Sequence, residues 1–120
     1  MEANTSTQTL PARPKNAGCC VPAHRPALSS EQTELVAQRL KALADATRLR
    51  ILDLLAQQSA PLCVCDITEQ FPQNQPTISH HLRLLRTMGL IETEKGGIWS
   101  YYWATDEGRR TLQAIQTLVP

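Results

Sequence analysis

Two cysteines one residue apart, Cys63 and Cys65 in the stretch PLCVCDITEQF, stand just ahead of a short segment with helical spacing. A second, vicinal pair, Cys19 and Cys20, lies in GCCVPAH. Thiolates are soft donors. Three of them suit a trigonal-pyramidal metalloid such as As(III) or Sb(III), and up to four suit Cd(II) or Pb(II), whereas Mg(II) and Ca(II) take oxygen ligands. Free cysteine also fills cores as a small apolar residue, so Cys63 and Cys65 have two readings, burial or ligation. Cys19 and Cys20 sit among Pro11, Pro14, Pro22 and Pro26 with Asn, Thr, Ser and Gln nearby, a composition that offers no core to fill. One pair on a mobile arm and one on a folded element suit a site that closes when a thiophilic ligand draws the arm down. His24, beside the arm pair, reads as a solvated arm residue, with a place in a zinc or cadmium site as the other option.

Spacing sets a condition on Cys63 and Cys65. On a regular helix, residues i and i+2 point about 200° apart and cannot grip one ion, whereas in extended backbone they point the same way. Asp66 with Glu69 forms a candidate capping box. If Asp66 caps the helix, both cysteines precede it or occupy its fraying first turn and can converge. If the helix starts at Cys63, only one is a strong ligand.

The elements that must position these groups follow from periodicity. The chain has 120 residues, 42% hydrophobic and 19% charged, with a net charge of +1. That allows one domain with a modest core, and any electrostatic attraction to nucleic acid must be local. The N-terminus has no apolar run, and no stretch approaches the roughly 18 apolar residues of a membrane span. A cytoplasmic protein with reduced thiols and no membrane partner is expected.

Residues 1–28 read as a flexible arm and 29–120 as the folded domain. Ser29 with Gln32 fits a capping box before Val36, Leu40 and Leu43. Asp45 can cap a second helix with Leu49, Ile51, Leu52 and Leu55. After the short segment at Ile67 and Phe71, Pro76 suits the first turn of a longer helix over 76–88, and Gly89 the position past its end. LIETE and IWSYYWAT flank a turn at Gly96 and Gly97 and predict a hairpin. Thr105 caps a last helix bearing Leu112, Ile115, Leu118 and Val119. This order predicts a mainly α (α+β) winged helix-turn-helix with one β-hairpin wing.

On a helical wheel Ile78, Leu82 and Leu85 cluster toward the core, while Pro76, His80, Arg83 and Thr87 oppose them, bordered by Thr77 and Ser79. From Gln75 to Ile91 there is no Asp or Glu, so the run is locally cationic. Gln75, Thr77, Ser79, His80 and Arg83 are candidate contacts to base edges or phosphates, and Lys95 at the hairpin tip to neighbouring phosphates. The bland alternative is a solvated helix face, which the flanking architecture disfavours. Of His80 and His81, one should face DNA and the other pack at the core edge. Trp99, Tyr101 and Trp103 alternate onto one strand face, expected to pack against the body.

LADATRLRILDLL, LCVCDI, QPTISHHLRLLRTMGLI and GGIWSYY together resemble the ArsR/SmtB family of metal-responsive bacterial repressors, most closely its arsenic-sensing members. The resemblance covers about residues 31–119. It implies a homodimer that binds an imperfectly palindromic operator in double-stranded DNA and leaves when a metal ion or metalloid binds. It also implies a dimer surface from the first and last helices, with Val36, Leu40, Leu43, Leu112, Ile115 and Leu118, although those stripes alone fit an intrachain core equally. LCVCD matches the family's sulfur-rich sensing site. The implied ligands are Cys19, Cys20, Cys63 and Cys65, with As(III) or Sb(III) as inducer and Cd(II), Pb(II) or Zn(II) as the alternative. The family's other site uses His, Asp and Glu on the last helix, and DEGRRTLQAIQTLV has no histidine.

A thiol redox or persulfide sensor ranks below metal sensing, because Asp66 and Glu69 but no Lys or Arg flank Cys63 and Cys65, and reactive thiolates need positive surroundings. An enzyme is not expected: there is no Cys-x-x-Cys, no phosphate-cradling loop beside a cysteine and no βαβ pattern.

Overall fold

Helix starts in this chain fall where a side chain can satisfy the first free backbone N–H groups. The computed structural model describes residues 9–12, 18 and 23–120. Ser29 Oγ accepts the Gln32 N–H at 3.0 Å and Gln32 Oε1 accepts the Ser29 N–H at 2.9 Å, which opens α1 (Ser30–Leu43). Asp45 accepts the Arg48 N–H at 3.0 Å and opens α2 (Ala46–Ala56). That bond, more than any other influence, holds the Asp45 carboxyl below its ordinary pKa.

A two-residue strand β1 (Leu62–Cys63) leads directly into α3 (Val64–Thr68). Asn74 then caps α4 (Gln75–Thr87) by accepting the Thr77 N–H at 3.1 Å. The expected helix over 76–88 therefore begins and ends one residue earlier, since the Asn74 side chain supplies the cap. Gly89, at φ +74°, ends it in the left-handed region that favours glycine. Strands β2 (Ile91–Gly96) and β3 (Trp99–Ala104) form the wing, and α5 (Asp106–Gln116) starts at its Thr105 cap.

The hairpin turn lies one residue beyond the expected pair. Gly96 pairs with Trp99, leaving Gly97 and Ile98 as the two loop residues, with Gly97 at φ +66°. A glycine followed by a residue without positive φ fits the type II′ turn, whose twist matches the strands. The sheet also holds a third strand absent from the sequence reading. Its order is β1-β3-β2, with Leu62 opposite Tyr102 and Cys63 opposite Tyr101. Two residues are too few to leave a period-2 signal.

Ile51, Leu52 and Leu55 of α2, Ile67 of α3, and Ile78, Leu82 and Leu85 of α4 are buried together with Leu90 and Ile91. Each contributes about 1.5–3 kcal/mol on burial. Tyr102 packs on this core and Ala104 belongs to it. Neighbouring side chains along a strand face opposite ways, so Trp99, Tyr101 and Trp103 lie on the face away from the core, where Tyr101 and Trp103 are half-buried beside Pro61 and Glu94. Leu43 and Leu112 also belong to the chain's own core, not to a free dimer stripe, because the α1–α2 and α5–α2 contacts cover them. No helix among the described residues is long and apolar enough to cross a membrane.

Candidate sulfur site and nucleic-acid interface

Cys63 closes β1 and is itself the N-cap of α3. Its backbone is extended, at φ −77° and ψ 160°, and its Sγ accepts the Asp66 N–H at 3.4 Å. The Asp66 carboxylate returns to the Cys63 N–H at 3.2 Å. The capping box is thus Cys63 with Asp66, displacing the expected Asp66 with Glu69 by three positions toward the N-terminus. The register with Tyr101 explains this: pairing on the sheet ends at Cys63, and the helix starts at once.

This junction resolves the geometric condition on the two cysteines. One is extended and the other lies in the first helical turn, so their side chains converge although they are separated by a single residue. Their Cα atoms are 5.4 Å apart and their sulfurs are joined as a disulfide. Cys63 is buried; Cys65 is the more open of the two. Both sulfurs and an Asp66 oxygen lie within 4.8 Å of one another. When reduced, this set offers two soft donors and one carboxylate from three nearly consecutive residues, which fits a thiophilic ion and not a hard one. Asp66, a capping residue by its position in the sequence, is the third donor of this set. Cys19 and Cys20 lie outside the described residues.

α3 packs directly on α4. On α4, Ile78, Leu82 and Leu85 face the core, while Gln75, Thr77, His80 and Arg83 are exposed and Ser79 is half-buried. Lys95 is exposed near the hairpin tip. Arg86 is engaged by Glu92 at 3.3 Å, whereas Arg83 has no ion pair among the described residues. The two histidines differ in burial: His80 is exposed and His81 is half-buried, with its Nδ1 3.1 Å from Arg48 Nη1. Nothing in local sequence signals that contact, whose partners are 33 positions apart.

Between α1 and α5, Val36 and Leu40 border an open groove of about 260 Å³ shared with Ile115 and Leu118. Glu107 joins Arg39 and Arg110, tying α1 to α5. The Arg110 hydrogen bond, with the Arg39 charge, holds the Glu107 carboxyl below its ordinary range.

Comparison with known proteins places this geometry. The model of the bacterial regulatory protein arsR family matches residues 45–93, from the α2 cap to the wing. An arsenical resistance operon repressor of Bacillus subtilis is 45% identical over 78 residues, which are 65% of this chain and 73% of that protein. A cadmium resistance transcriptional regulatory protein CadC homolog of Staphylococcus aureus is 42% identical over 77 residues, 64% of this chain and 63% of the relative. Among solved structures, the homodimeric winged helix-turn-helix DNA-binding domain (fragment 1-100) of a possible ArsR-family transcriptional regulator from Mycobacterium bovis superposes with a TM-score of 0.66 at 33% identity. It covers 81% of this chain and 89% of that one. Family and fold are those of DNA-binding transcriptional regulators, not enzymes. With its capped α4, β-hairpin wing and cysteine-bearing α3, the chain belongs to the ArsR family of transcriptional regulators.

Proposed function

We propose that this chain is a homodimeric repressor that leaves its operator when As(III) or Sb(III) is captured by cysteine thiolates. Cys63 and Cys65 supply two sulfurs from the foot of α3, and Cys19 or Cys20 of the 1–28 arm supplies the third, from the same protomer or its partner. Capture of As(OH)3 by three thiols forms three As–S bonds and releases three waters. Convergence of the two sulfurs at the start of α3 is the observation that carries this reading. Cd(II), Pb(II) or Zn(II) would recruit a fourth ligand, for which Cys19 and Cys20 together, or the Asp66 oxygen, are available.

In the apo dimer the two α4 helices lie about one DNA turn apart and enter successive major grooves of an imperfect palindrome. Gln75, Thr77, Ser79, His80 and Arg83 contact bases and phosphates, and Lys95 reaches the flanking backbone. Ligand bonds pull on Cys63, which is held both by α3 and, through its pairing with Tyr101, by the wing. The reading helix and the wing therefore shift together, and the half-site spacing is lost. Coupling of 1–3 kcal/mol, typical of such switches, lowers affinity about 5–150-fold.

The test is operator-binding anisotropy under anaerobic reducing conditions, with As(III), Sb(III), Cd(II), Pb(II) and Zn(II) added to the intact protein and to Cys19→Ser, Cys20→Ser, Cys63→Ser and Cys65→Ser. Release by As(III) that is lost in Cys63→Ser supports the reading; DNA retention with every ligand sinks it. The disulfide between Cys63 and Cys65 favours one second reading, release on thiol oxidation. A protein that leaves DNA only after oxidant is added, and returns on reduction, supports that alternative.

A further inference from the structure

Arg48 of α2 touches two other helices at once. Its Nε donates to the Ala42 carbonyl near the end of α1, and its Nη1 lies 3.1 Å from His81 Nδ1 on α4. A guanidinium has only donors, so His81 Nδ1 accepts, and the neutral ring carries its proton on Nε2. The same joint is reinforced by Gln73, whose Nε2 donates to Thr47 Oγ1 at 2.9 Å and ties the segment before α4 to α2. Arg48 thus bridges α1, which carries the exposed apolar face, and α4, which carries the DNA-reading face.

We propose that Arg48 and His81 are positioning residues for operator binding: their contact braces the reading helix against the dimer-forming helix, and proton uptake by His81 releases the brace. The proposal rests on α4 being the reading helix but is independent of the inducer.

Protonation removes the Nδ1 lone pair that accepts from Arg48 and sets two cations against each other at 3.1 Å. The charged groups acting on His81 are Asp45 and Arg48 of α2 and His80 on its own helix, and Lys41 of α1 lines the crevice beside Arg48. Burial pushes the His81 pKa below its ordinary value; Asp45 opposes that shift, while Arg48 and His80 add to it. The sign is therefore set. Neutral His81 supports the brace above the ordinary imidazole range of about 6.5, and support is lost as pH falls through that value toward the depressed one.

The experiment measures operator affinity of the reduced, inducer-free dimer from pH 8 to pH 5 at constant ionic strength, with circular dichroism and dimer mass recorded at each pH. In the His80→Gln background, where His81 is the one imidazole on α4, affinity falls about fivefold or more toward acid, the low end of typical coupling. In His80→Gln/His81→Gln the slope disappears while neutral-pH affinity stays within about twofold of the His80→Gln parent, because the amide oxygen still accepts from Arg48 and does not titrate. His81→Leu, lacking the acceptor, binds weakly at every pH. A flat profile for His80→Gln, an unchanged slope in the double variant, or a fall that only tracks unfolding overturns the proposal. Arg83→Ala serves as the separate check on α4: undiminished binding there means that α4 is not the reading helix, whatever the pH profile.

Discussion

α1 and α4 are helices of 14 and 13 residues, each with an apolar stripe at helical spacing, and they end in opposite surroundings. α4 buries Ile78, Leu82 and Leu85 completely, whereas α1 leaves Leu35, Val36 and Leu40 exposed at 62%, 43% and 55% and gives only Leu43 to the core. An amphipathic pattern states that a face needs cover. It does not state which molecule supplies it. α4 finds its cover in α2 and α3. The α1 stripe only borders Ile115 and Leu118 across an open groove, and a second copy of the chain is the occupant its proposed role requires.

The sharpest way to break this contrast is to remove apolar volume from each stripe in turn. Leu82→Ala should destabilise the protein by about 2–5 kcal/mol in urea unfolding, because the cavity lies in a closed core. A loss below 1 kcal/mol would mean that the α4 face is not packed as described. Leu40→Asp should weaken the dimer by roughly 2 kcal/mol or more, read by sedimentation, with operator affinity falling alongside. Its secondary structure should survive, since Leu40 is not in the core. A stable Leu40→Asp dimer would remove α1 from the interface.

The caps sharpen the comparison at smaller scale. Ser29→Ala and Asn74→Ala should each cost about 1 kcal/mol of helix stability. The first should be felt in dimerisation and the second in DNA affinity with the dimer intact; identical effects on both assays would erase the distinction between the helices. The smallest effect concerns pH. The depressed Glu107 carboxyl stabilises the α1–α5 joint above its ordinary pKa, and that contribution is lost as pH falls through the lowered value. Glu107→Gln should therefore flatten the acid limb of the melting-temperature profile, and a profile superimposable on the unaltered protein would show the joint to be electrostatically idle.

Much of the fold was legible because helix starts and faces are local. Ser29, Asp45 and Thr105 each cap the helix they predict, and the α4 wheel separates buried from exposed residues correctly. Errors arose where a residue had two local roles. Asp66 could cap a helix or complete a box, and pairing of Cys63 with Tyr101 decided for the second. The alternating aromatics of β3 could face either way, and contact of Tyr102 and Ala104 with the core settled their direction.

By itself the amino-acid order determined the sequence of elements, the polarity of each helix face and the presence of paired thiols, because these depend on residues within about four positions of one another. The tertiary structure alone decided that Cys63 and Cys65 converge, that Leu43 and Leu112 are core while Leu40 is not, and that Arg48 meets His81. Those outcomes turn on strand pairing and helix packing between distant segments, where chain periodicity carries no information about which partner arrives.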